Sequence, residues 1–164
     1  MPTISVPEGA YEKLVKLAEK EGAINVEDLI LSMVVNDMDR GEASNAYWEA
    51  SQELMREAEE ELSKGDLRQA SEKIWGSAAL AVKAVAQMLD GARLASHGEL
   101  WAYVDELSAR LNRPELMRLW QMANSMHVNF YGGWATRRHV EEALRGLREF
   151  LSILEEGMRG RGER

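Results

Sequence analysis

Residues 66–91, DLRQASEKIWGSAALAVKAVAQMLDG, constrain this chain more than any other stretch. Asp66 suits an N-cap, since its carboxylate can accept a first-turn N–H. Gly91 follows the last periodic residue and suits the left-handed position after a helix. Between them Ala70, Ile74, Ala78, Ala81, Val85 and Met88 recur at helical spacing and form one face. Trp75, Ala79, Val82 and Ala86 widen the apolar surface around a second side. A helix apolar over most of its circumference is buried among other helices. The alanines and Gly76 allow close approach, Trp75 and Met88 fill space, and Lys73 and Lys83 mark the side expected to meet water.

The remaining chain is long enough to surround such a helix. It has 164 residues, 45% of them hydrophobic, which is one domain or one domain with a small module. No apolar run is long enough to cross a membrane, and no basic-then-apolar N-terminal segment suggests a signal peptide. With no cysteine, disulfides, thiolate metal sites and cysteine nucleophiles are excluded, and a cytoplasmic location is expected. Abundant Arg and Glu without Cys also suits a thermophile. The net charge of −8 argues against broad, non-specific nucleic-acid binding. That charge is uneven. Residues 1–42 hold 9 acids and 4 bases, residues 43–112 hold 12 and 7, and residues 113–164 hold 7 and 9. All nine bases of the last segment are arginine, which forks onto phosphate or carboxylate or covers a solvated helix face.

Residues 1–42 form a separable module. Thr3-Ile4-Ser5-Val6 alternates like a short strand, which Pro7 stops. A helix follows over 8–21 and Gly22 ends it; Asn25, with Asp28 three residues on, caps a second. Strand, helix, Gly turn, helix resembles the ribbon-helix-helix family of dimeric DNA binders. The resemblance implies DNA contact through the strand, whose Thr3 and Ser5 are not the usual base readers; the alternative is a dimerisation or packing segment.

Residues 43–157 read as an up-and-down helical bundle, all-α. Ser44 or Asn45 caps a helix to about Lys64, with Tyr47, Ala50, Leu54, Ala58 and Leu62 inward and an acidic face of glutamates outward. Lys64-Gly65-Asp66 is a tight turn, so this helix pairs antiparallel with 66–91. Ser96 and Glu99 make a capping box for a third helix. Pro114 opens a fourth, and Gly132-Gly133 breaks it. Thr136 caps the last helix, whose seam of Val140, Leu144, Leu147, Leu151 and Leu154 can bury within the chain or across a dimer. Residues 158–164 are expected to be a basic, disordered tail.

Chemistry concentrates in ANSMHVNFYGGW, residues 123–134. Asn124 and His127 share a helix face. Asn129, Tyr131 and the Gly pair lead into Thr136, Arg137 and Arg138. Gly-rich backbone before a helix N-terminus offers N–H groups to an anion, and two first-turn arginines oppose their own helix dipole, which invites an anionic partner. Two readings stand. The six residues Asn124, His127, Asn129, Tyr131, Arg137 and Arg138 bind a phosphate-bearing ligand, or the polar side chains satisfy one another where helices pack. His97 and His139 read as surface or capping residues. No nucleophile elbow, phosphate-binding loop, dinucleotide fingerprint or HExxH is present; no metal and no cofactor is expected.

The segment AEEELSKGDLRQASEKIWGSAALAVKAVA, followed by SHGELWAYVDEL and then MHVNFY, resembles the archaeal PaREP family of helical proteins, related to the HEPN superfamily. The resemblance covers roughly residues 44–155 and implies a HEPN-like bundle, often dimeric. It also implies RNA or nucleotide binding, or a partner protein such as a nucleotidyltransferase, in a toxin–antitoxin or defence setting. Its ribonuclease branch places an arginine, then four to six intervening residues, then a catalytic histidine. With His127 in that role, the positions hold Trp120, Gln121 and Met122; with His139, they hold Gly132, Gly133 and Trp134. The departure favours a non-catalytic binding module. A metal-independent ribonuclease using His127 and a transcription regulator using residues 1–42 are the alternatives.

Overall fold

A computed structural model describes residues 2–162 of the chain, which among these residues is all-α. Seven α-helices follow in order: α1 (Glu8–Glu21), α2 (Val26–Val34), α3 (Arg40–Lys64), α4 (Leu67–Asp90), α5 (His97–Arg110), α6 (Glu115–Gly132) and α7 (Arg137–Gly162). A 3-10 turn, Val35–Asp37, joins α2 to α3.

Helix α4 is the central strut. It packs against α3, α5, α6 and α7, and residues 77–87 are all buried. The Asp66 carboxylate accepts from Gln69 N–H, and Gly91 takes the left-handed conformation at φ 60°. Small residues set its approach to α3. Ser51 Oγ donates to the Ser77 carbonyl at 2.7 Å, and Ser77 Oγ donates back to the Ser51 carbonyl at 2.8 Å. One heptad along, Ser44 Oγ donates to the Ala84 carbonyl at 2.9 Å. Buried hydroxyls are tolerated there because each finds a carbonyl on the facing helix. A Cβ added at Gly76 would lie 2.8 Å from Leu54 Cδ1, so any larger residue there would push the Leu54 side chain aside. The α7 seam (Val140, Leu144, Leu147, Leu151, Leu154) is buried within the chain. The capping box at Ser96 and Glu99 and the Asn25 cap form as expected.

Four expectations need correction. No strand exists among the described residues: residues 2–7 have no regular structure, and Ile4 and Val6 are exposed. An extended segment without a ladder partner has nothing to hydrogen-bond along its edge. The long helix begins at Arg40, not at Ser44 or Asn45, because Asp39 and Glu42 form a reciprocal capping box. Helix α7 continues through 158–162, where a disordered tail is expected; residues 163–164 lie outside the described residues. Finally, Lys83 does not meet water. It is 8% exposed and donates to both oxygens of Asp28, itself fully buried, at 2.9 and 2.8 Å. Among the described residues, no helix is long and apolar enough to cross a membrane.

Candidate functional site

The residues with most chemistry meet where α4, α5 and α6 adjoin. Helical spacing puts Arg68, Glu72 and Trp75 on one face of α4. On α6 the same logic aligns Trp120, His127 and Tyr131. His97 opens α5, with Trp101 one turn later.

Trp75 is buried and three rings lie on it. His127 stacks at 5.2 Å between centroids and 30°, His97 lies at 5.2 Å and Trp120 at 5.0 Å. The two imidazoles are 6.3 Å apart. Tyr131 meets His127 edge-on at 5.5 Å and is 70% exposed. Each imidazole is oriented by a partner. Trp101 Nε1 donates to His97 Nε2 at 2.9 Å, so that nitrogen carries no proton. His127 Nδ1 lies 3.1 Å from Glu72 Oε2. A carboxylate there favours the proton on Nδ1, which leaves Nε2 as the acceptor. The result is a partly exposed aromatic shelf edged by two oriented imidazoles.

Of the six residues expected to act together, the structure brings His127 and Tyr131 into this shelf. Asn124 sits one turn from His127, partly buried. Asn129 faces inward at 1% exposure, donating to Ser71 Oγ at 2.9 Å and accepting from Ala135 N–H at 2.7 Å. Arg137 is engaged elsewhere: it donates to the Leu62 carbonyl at 3.1 Å, at the end of α3, and pairs with Glu141. Arg138 is exposed on the first turn of α7.

Three of the N–H groups expected to face an anion are committed within the chain. Gly133 N–H reaches the Asn129 carbonyl, Ala135 N–H the Asn129 side chain and Thr136 N–H His139 Nδ1. His97 is more than a surface residue, since its ring completes the shelf. Glu72, Trp75, Trp101 and Arg68 were missed by sequence reasoning. The first two carried a signal, a carboxylate and an indole three apart on the helix already singled out. Arg68 lies over Gly133 and donates to the Tyr131 carbonyl at 2.9 Å.

The fold is thus an all-α bundle with an aromatic–histidine shelf. Residues 46–151 match the archaeal PaREP1/PaREP8 family, and the chain belongs to it. A solved structure of a Sulfolobus solfataricus protein is similar, with a TM-score of 0.57 at 26% identity over 65% of this chain and 94% of that one. A comparison with curated proteins finds no match.

Proposed function

We propose that this chain is a non-catalytic, HEPN-like binding module, acting as a dimer, whose shelf takes a single-stranded RNA segment or a nucleotide. The observation that carries this reading is the His127 ring stacked on buried Trp75, with exposed Tyr131 against its edge. Unpaired bases stack on such surfaces whatever their identity. His127 Nε2 supplies a directional contact, and the exposed guanidinium of Arg68 keeps donors for a phosphate beyond the one given to Tyr131. Binding of labelled single-stranded RNA and of nucleotides, measured by anisotropy, tests it. Removal of one stacking ring costs about 1–3 kcal/mol, so Tyr131→Ala and His127→Ala should each weaken binding by a factor of roughly 5 to 150. Unchanged affinity in both variants would sink the proposal.

A second reading rests on a separate observation. Glu72 orients His127, and a second imidazole lies beside it, an arrangement suited to general acid–base cleavage of RNA without a metal. Incubation of purified protein with total RNA separates the two. Cleavage abolished by His127→Ala would favour the ribonuclease; cleavage indifferent to that substitution would mark a contaminant.

A further inference from the structure

Away from the shelf, a cavity of ≈ 220 Å³ lies between the α1–α2 pair, α3, α4 and the 91–95 loop. That is room for several waters or for a small organic molecule. Leu17, Leu29, Met33 and Leu94 supply apolar wall. The polar lining is one-sided. Both Asp28 oxygens are spent, one on Ile24 N–H and Lys83, the other on Lys83 alone.

The donors are less committed. Tyr47 is 2% exposed, yet its hydroxyl makes no hydrogen bond among the described residues. Burial first, and the negative charge of Asp28 second, push its pKa up to about 12, so it stays a donor at neutral pH. Arg93, close enough to oppose that rise, also lines the cavity, and its guanidinium has no hydrogen-bond partner among the described residues. Glu21, exposed at the lining, disfavours a second negative charge.

The geometry points to a binding site for a small organic monocarboxylate, its carboxylate held by Arg93 and the Tyr47 hydroxyl and its short apolar body against Leu29 and Met33. Arginine and phenol both donate to the anionic head, the guanidinium through two parallel N–H groups. The apolar wall distinguishes an aliphatic acid from inorganic phosphate. The site is independent of the RNA-binding shelf, since no residue is shared.

Butyrate titrated into the full chain, with the Met33 methyl followed by NMR, tests the inference. The expected result is a saturable shift with butyrate and none with butylamine or inorganic phosphate. Loss of a hydrogen bond to a charged group should weaken butyrate about tenfold or more, both in Tyr47→Phe and in Arg93→Gln. Arg93 is exposed on a loop, so its substitution leaves folding intact even if Tyr47→Phe does not. A shift that never saturates, an equal response to butylamine or phosphate, or wild-type affinity in Arg93→Gln would overturn the proposal.

Discussion

Lys83→Met asks what holds the N-terminal helices to the bundle. Methionine keeps most of the stem and its volume while removing the charge. The Asp28 carboxylate would then stay buried with Ile24 N–H as its remaining hydrogen-bond partner. An ion stranded in this way costs about 3–5 kcal/mol, whereas neutral replacement of both members is often harmless. Domains of this size have a total stability of about 5–15 kcal/mol, so the single variant should lose a large fraction of it. Asp28→Asn added to Lys83→Met removes the stranded charge and leaves an amide oxygen for Ile24 N–H. The double variant should recover most of the loss. Urea unfolding, read by circular dichroism and tryptophan fluorescence, gives all four corners of the cycle. A single-variant loss below about 1 kcal/mol, or a double variant no better than the single, would refute the claim that this pair is shielded.

Alkaline pH gives an independent check. Burial raises the Tyr47 pKa to about 12, and burial with a hydrogen bond to Asp90 raises that of Tyr103. A phenol whose pKa is higher folded than unfolded stabilises the fold fully below the unfolded value of about 10 and loses that contribution above it. Urea midpoints should therefore fall between pH 10 and 12, and less steeply in Tyr47→Phe. Arg137→Ala removes a charged donor from the α3 C-terminus and should cost about 0.5–1 kcal/mol in the same assay without weakening RNA; weakened RNA binding at unchanged stability would make Arg137 a ligand residue after all. Gly133→Ala strains a backbone at φ 64° and displaces the Arg68 guanidinium 2.7 Å from the new Cβ, for a cost of about 1–2 kcal/mol by thermal or urea unfolding; a neutral effect would show that Arg68 does not depend on this close approach.

What could be read from the sequence was local. Asp66 and Gly91, Asn25, and Ser96 with Glu99 act within a turn of their own position, and each forms as spacing implies. The apolar seam of α7 was equally legible, although only the fold shows that it closes inside one chain. Lys83 was misread because its partner lies 55 residues away on α2. A lysine on an apolar helix normally marks water, and only the docking of α2 reverses that. The shelf was half legible for the same reason. His127 and Tyr131 are neighbours on α6, whereas Glu72, Trp75 and His97 join them through packing.

The arginines show why local rules mislead in an antiparallel bundle. Arg40, Arg68 and Arg137 all occupy the first turn of a helix, where the dipole disfavours a cation. Each donates to a carbonyl in the last turn of a neighbour: Arg40 to Gln87 of α4, Arg68 to Tyr131 of α6 and Arg137 to Leu62 of α3. The beginning of one helix lies beside the end of the next, so a first-turn arginine that opposes its own dipole complements the adjacent one. The negative dipole end that such residues call for is supplied by the fold, and a donor left over after that contact, as on Arg68, stays open to a ligand. A guanidinium with no carbonyl to cap among the described residues keeps its full donor set for a ligand. Arg138 on the exposed turn of α7 and Arg93 at the cavity are two of these, and Arg93→Gln is the more decisive substitution because the Tyr47 hydroxyl, without a hydrogen bond among the described residues, lines the same space.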